Sequence, residues 1–115
     1  MTTKPEIKNE VEFADFMAAQ YDLDRISKDR FQKLKPIDCL GKNFAQENRI
    51  IPFSIETNKV CVAISDQNAL EKLNTIELMF NRKVETFVIT VSQTNKLIDE
   101  LLLLDDLNLN NNIES

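Results

Sequence analysis

The stretch NRIIPFSIETNKVCVAISD, residues 48–66, decides the fold. Two runs rich in β-branched residues, IIPFSI and VCVAIS, flank the polar ETNK, a pattern that predicts an antiparallel hairpin. Pro52 has no N–H to give a ladder, so the first run is expected at a sheet edge or with a bulge. Asp66 follows the second run and is placed to cap a helix. A strand running into a helix is also how many nucleotide sites begin, but such sites need glycine to let a phosphate approach the backbone. The only glycine in the chain is Gly41, ahead of the hairpin. The stretch therefore reads as scaffold, with Asp66 as a helix cap.

Toward the C-terminus, the Asp66 cap opens a helix over roughly Asn68 to Phe80. Its stripe of Leu70, Leu73, Ile76, Glu77 and Phe80 is apolar except at Glu77. Asn81 suits its end, because Asn tolerates the left-handed backbone that helix ends adopt. KVETFVITV gives a third strand, with Val84, Thr86, Val88 and Thr90 alternating against Phe87 and Ile89. Ser92 is the expected cap of a last helix running to about Leu104.

Toward the N-terminus the pattern is helical. Asn9 can cap a helix over Glu10 to Tyr21, in which Phe13, Phe16, Met17 and Gln20 share a face. Ser27 starts a short helix through Leu34 with Phe31 and Leu34 inward, and Pro36 stops it. Residues 38–48 form a third candidate helix that buries Leu40, Phe44 and Cys39, against a propensity penalty of about 1 kcal/mol at Gly41. The expected class is α+β: N-terminal helices lean on a small β-β-α-β-α sheet layer whose helices pack on one face. Residues 1–9 read as a mobile leader, 10–104 as a single domain, and 105–115 (DDLNLNNNIES) as a polar tail or linker.

Composition removes several function classes. At 115 residues the chain holds one domain, and 43% hydrophobic with 29% charged residues is an ordinary globular mix. A net charge of −5 disfavours non-specific nucleic-acid binding, which depends on neutralising phosphates. With no histidine, His-based triads and His metal ligands are excluded. One glycine cannot build a Walker loop or a GxGxxG turn. No apolar run approaches the roughly 20 residues that span a bilayer, and MTTKPEIKNE has no signal-like apolar core. Two cysteines, Cys39 and Cys61, fit a reduced cytoplasmic protein rather than a disulfide framework. Cys61, inside a strand, reads as a small buried hydrophobe.

The remaining candidates point to contact rather than catalysis. The basic cluster Arg25, Lys28, Arg30, Lys33 and Lys35 is either a solvated helix face or a site for a phosphate or an acidic partner. The carboxylate neighbours Glu10/Glu12, Asp99/Glu100 and Asp105/Asp106 are too close in sequence to converge from one helix face, so no acid/base dyad, cofactor or metal is expected. In LLLLDD, Leu97, Leu101 and Leu104 share a face that Ile98 and Leu102 widen, while Leu103 falls outside it. Phe13, Phe16 and Met17 similarly exceed what a peripheral helix needs. These four, Phe13, Phe16, Met17 and Leu103, are the expected partner-binding residues.

The order of segments carries a further signal. FMAAQYDL (16–23) ends a helix in an aromatic turn. ISKDRFQKLKP (26–36) gives a short helix and a proline, and DCLGKNFAQENR (38–49) leads to the strand IIPF. A hairpin then reaches the hydrophobic-x-V-A-x-x-D pattern of Val60 through Asp66. ALEKLNTIELMFNRKVETFVIT (69–90) and QTNKLIDELL (93–102) supply helix, turn, strand and closing helix. In this order and spacing, the chain resembles the N-terminal domain of the type II secretion and type IV pilus assembly ATPases, the E-protein family and its pilus counterparts. Gln67 stands where the family has Pro, and Asn81 where it has Gly.

The resemblance implies a non-catalytic docking or regulatory domain ahead of a hexameric P-loop motor, lying in cis or in another chain. Its implied partner is the cytoplasmic domain of an inner-membrane platform protein, through which it would be peripheral to the inner membrane. Some relatives bind cyclic di-GMP through an Arg-Leu-Gly motif; here Arg25-Ile26-Ser27 lacks the glycine, so no nucleotide-binding residues carry over. Two rival readings stay open. One is a cyclic di-GMP receptor using Arg25, Lys28 and Arg30; the other is a free-standing adaptor of the same fold.

Overall fold

The hairpin forms where its sequence dictates. In a computed structural model describing the backbone of residues 5–114 and the side chains of residues 10–104, strand β2 (Ile50–Ile55) pairs antiparallel with β3 (Lys59–Ile64). The Glu56 N–H closes the turn by donating to the Lys59 carbonyl at 2.8 Å. Pro52 fulfils both expectations: β2 is an edge strand, and its register shifts between Pro52 and Ser54. The outward Pro52 carbonyl accepts the Ile37 N–H at 2.9 Å, so the preceding loop covers that edge.

From β3 the chain crosses through a 3-10 turn (Gln67–Lys72) and helix α4 (Leu73–Phe80) into β4 (Lys83–Val88). β4 runs parallel to β3 from Lys59↔Lys83 to Ile64↔Val88. The sheet order is β1-β4-β3-β2, where β1 is the pair Asp24–Arg25, parallel to the far end of β4. Nothing in the polar sequence of β1 marks it as a strand; it exists because β4 offers it an edge.

Helices cover both faces of this sheet, not one. On one face Ile50, Val60, Val62, Ile64 and Val88 meet Ala14, Met17 and Ala18 of helix α1 (Pro5–Gln20) and Ile76 of α4. On the other, Ile51, Cys61, Ala63, Phe87 and Ile89 meet three helices: Phe31 from α2 (Lys28–Gln32), Ala45 from α3 (Lys42–Asn48), and Leu97, Ile98 and Leu101 from α5 (Val91–Glu114). The cause lies in β3, which is apolar at every position from Val60 to Ile64 and buries all of them. A strand apolar on both sides needs a cover on both.

Helix ends correct several boundaries. The backbone of α1 is helical from Pro5, a residue suited to a first turn because its missing N–H would be unpaired there anyway. Met1–Lys4 of the expected leader lie outside the described residues. α3 begins at Lys42 rather than 38, since Gly41 takes φ +91 and breaks the helix before it. Ser27 caps α2, its Oγ accepting the Arg30 N–H at 3.1 Å. Asp66 caps as expected, accepting the Asn68 N–H at 2.9 Å, but its helix splits into the 3-10 turn and α4. Asn81 ends α4 in the left-handed region at φ 53°.

For α5 the cap is Thr90, not Ser92. The Thr90 N–H donates to Gln93 Oε1 at 3.0 Å, and the Gln93 N–H donates back to Thr90 Oγ1 at 3.1 Å, a reciprocal capping box. Ser92 instead donates its N–H and hydroxyl to Glu10 Oε1 at 3.1 and 2.7 Å, tying α5 to α1. The α5 backbone stays helical to Glu114, past the expected end at Leu104.

Glu77, the polar member of the α4 stripe, has a structural task. Its Oε2 accepts the Val84 N–H at 3.0 Å, at the part of β4 that short β1 does not reach. Completing the stripe with leucine gains less than about 1 kcal/mol of burial at this half-exposed position. It orphans an amide whose desolvation costs about 1–3 kcal/mol. We predict that Glu77→Leu lowers unfolding free energy by about 1 kcal/mol in urea titrations, while Glu77→Gln, which keeps the acceptor, stays within about 0.5 kcal/mol of the parent.

Candidate functional site

The basic cluster does not converge on one point. Arg25 Nε is ion-paired with Asp15 Oδ1 at 2.8 Å, and its Nη1 donates to the Ile26 carbonyl at 3.2 Å. Arg25 and Lys28 line a crevice of about 380 Å³ with Val11, Asp15, Thr90 and Gln93. Arg30 leaves that crevice and lies 4.7 Å over the Phe87 ring, which in turn meets Phe53 edge-on at 5.5 Å. Lys33 and Lys35 continue past the end of α2 and are exposed.

Neither cysteine is set up as a nucleophile. Both are free thiols, Cys61 buried and Cys39 half-buried. Burial pushes the Cys39 thiol up from its ordinary pKa. Burial raises Cys61 as well, helped by its contact with Glu85 Oε1 at 3.6 Å. That carboxylate bonds Lys59 Nζ at 2.8 Å, and the bond holds Glu85 below and Lys59 above their usual ranges. Glu10, of the first carboxylate pair, is engaged with Ser92, and Asp99 is exposed. Asp105 and Asp106 lie outside the described side chains. Among the described residues, no group of three or more His, Cys, Asp or Glu side chains is placed to hold a metal ion.

The expected partner residues separate into core and surface. Phe13 is 45% exposed, Phe16 63% and Leu103 61%, but Met17 is 1% exposed and belongs to the core. The buried stripe of α1 runs through Ala14, Met17 and Ala18 rather than through the phenylalanines. Two alanines let the helix backbone approach the sheet closely, and a phenylalanine in their place would hold it off. Met17 is therefore withdrawn from the contact set by its packing.

The three exposed residues do not form one patch, because α1 and α5 cover opposite faces of the sheet. Leu103 and Leu104 line a groove of about 400 Å³ together with Lys35, Pro36 and Glu100. The sequence reading missed Leu78 (83% exposed) and Met79 (54%) on α4. Their signal was available, since both fall off the stripe through Ile76 and Phe80.

Comparison with known proteins agrees with this architecture. The family profile described as the MshEN domain matches residues 21–106. The solved structure of the N-terminal domain of XpsE is similar in fold, with a TM-score of 0.65 at 16% identity, covering 79% of this chain. The chain spans 65% of the length of that XpsE structure. No curated protein matches the chain in sequence.

Two measurements check the assignments. Met17→Ala should cost about 2–5 kcal/mol of stability, whereas Phe16→Ser should stay within about 0.5 kcal/mol; urea unfolding of both variants reads the difference. Iodoacetamide should label both folded-state thiols more slowly than those of the urea-unfolded chain at the same pH. Cys61 should be the slower of the two, as followed by mass spectrometry.

Proposed function

This chain belongs to the MshEN domain family, and from that premise we propose that it is a non-catalytic docking and regulatory domain of a type II secretion or type IV pilus assembly ATPase system. In this reading it binds the cytoplasmic part of an inner-membrane platform protein. It acts on the cytoplasmic side, peripheral to the inner membrane through that partner, and serves a motor domain in cis or in another chain. The likeness to the N-terminal domain of XpsE agrees with that family at the level of the fold.

The observation that carries the reading is the contrast between the two sides of the helices. Their inner faces close the core, while Phe13 and Phe16 on α1 and Leu103 on α5 stand exposed. The ion pairs Arg25–Asp15 and Lys59–Glu85 lie toward opposite ends of β4 rather than in one cluster. The cyclic di-GMP alternative has less support, because Arg25 is paired with Asp15 and Arg30 is turned onto Phe87, away from Lys28.

The test is a calorimetric titration of the domain with the purified cytoplasmic domain of the platform protein. We expect saturable binding with Kd on the order of micromolar, and no heat on titration with cyclic di-GMP. Absence of platform binding at high micromolar concentration sinks the docking reading, and saturable heat with the nucleotide replaces it with the receptor reading.

A further inference from the structure

At the hairpin end of the sheet, two turns and the end of α4 border an open crevice of about 480 Å³. Thr57 and Asn58 line it from the β2–β3 turn, Glu77 and Leu78 from α4, and Arg82 and Lys83 from the connection into β4. Arg82 is half-buried and pinned between the two turns. Its Nε donates to the Thr57 carbonyl at 3.1 Å and its Nη1 to the Phe80 carbonyl at 3.4 Å. Both acceptors are neutral, so the guanidinium is held in place without being neutralised. Among the described residues its Nη2 has no acceptor, and neither Arg82 nor Lys83 has an ion-pair partner. The one carboxylate of the crevice, Glu77, is committed through Oε2 to the Val84 N–H. Leu78, 83% exposed, completes the lining with an apolar side chain.

We propose that this crevice is a docking point for the partner protein, which places a carboxylate on Arg82 and Lys83 and an apolar side chain on Leu78. The assignment rests on the docking reading above and adds the chemistry of the contact: an acidic residue beside an apolar one. A guanidinium already fixed by its own turns loses little side-chain freedom when a carboxylate arrives. The position is consistent with that reading. Helices α1 and α4 cover the same face of the sheet, so Leu78 stands on the side that carries Phe13 and Phe16.

Charge favours a protein segment over an anionic bilayer. The crevice presents two cations, but the chain as a whole carries −5. A bilayer of like sign would repel the body of the domain, whereas one carboxylate on a protein segment meets the cations alone.

The experiment titrates the intact chain with the platform protein's cytoplasmic domain, using variants whose folding is first checked by circular dichroism. We expect Arg82→Gln to weaken binding about tenfold and Lys83→Glu to weaken it and flatten its salt dependence. Leu78→Ser should weaken it as well. Lys83 and Leu78 are exposed, so these two variants carry the test even if Arg82→Gln loosens its turns. Lys96→Glu, the same charge change at an exposed position of α5, should leave binding within about twofold of the parent. If the wild type binds and Leu78→Ser and Lys83→Glu bind equally well, the proposal falls while the docking reading stands. Equal losses for Lys83→Glu and Lys96→Glu reduce the effect to overall charge and also overturn it. If the wild type does not bind, the docking reading fails and takes the proposal with it. Two controls can overturn it independently. One is Lys83-dependent cosedimentation with phosphatidylglycerol vesicles, and the other is a concentration-dependent dimer lost in Leu78→Ser, seen by sedimentation velocity.

Discussion

Strand β3 is buried on both faces and paired along both edges, antiparallel to β2 and parallel to β4. That double burial governs the rest of the architecture. Val60, Val62 and Ile64 need one cover and Cys61 and Ala63 another, so the helices divide into two sets. A fully buried aliphatic side chain contributes roughly 1.5–3 kcal/mol relative to exposure. No local preference in the flanking helices competes with a strand of such residues. The parallel β3–β4 pairing in turn requires a crossover, and the 3-10 turn with α4 supplies it while covering one of the faces.

Where the sheet gives way to helices, side chains of short reach hold the junctions. Asp66 takes an amide as β3 leaves the sheet, Thr90 and Gln93 exchange bonds as β4 leaves it, and Glu77 serves the amide of Val84 near its start. Each of these polar groups stabilises a backbone N–H at the end of an element, part-buried at Val84, Thr90 and Gln93 and exposed at Asn68. Ser65, in the same region, has the one buried side-chain oxygen among the described residues without a hydrogen-bond partner. Glu10 joins the set from a distance, linking α1 to the start of α5 through Ser92 and so coupling the helices of the two faces.

These junctions also show what the sequence made legible. The hairpin, the Pro52 irregularity, the Asp66 cap and the Asn81 terminator are local events, each fixed by the geometry of one residue type, and each was readable. Thr90 is legible too, since Thr-x-x-Gln is a capping box, although Ser92 two residues later is as good a cap by residue type. Strand β1 was not readable, because two polar residues become a strand only when β4 lies beside them. The buried face of α1 is not legible from its apolar stripe, because Phe13, Phe16 and Met17 share that stripe and only Met17 goes inward. In a close approach to a sheet the small residues Ala14 and Ala18 go inward and Phe16 goes out. Met17 lies on that inward side with the alanines, which takes it out of the surface set, and the unbroken apolar run of β3 is the local sign that a second cover is needed.

What the core leaves over is then the argument for function. Leu97 and Leu101, one helical turn apart, fix the inward side of α5, and Leu104 continues along its flank. No rotation that keeps those residues inward can bury Leu103, so stability does not account for its identity. A single exposed leucine is ordinary on a surface. This one borders a groove that Lys35, Pro36 and Glu100 line with it and Leu104. The fold likeness at 16% identity reaches the backbone and stops there. The side chains of α5 that the fold does not use, Leu103 and Leu104, are therefore a property of this chain's own sequence.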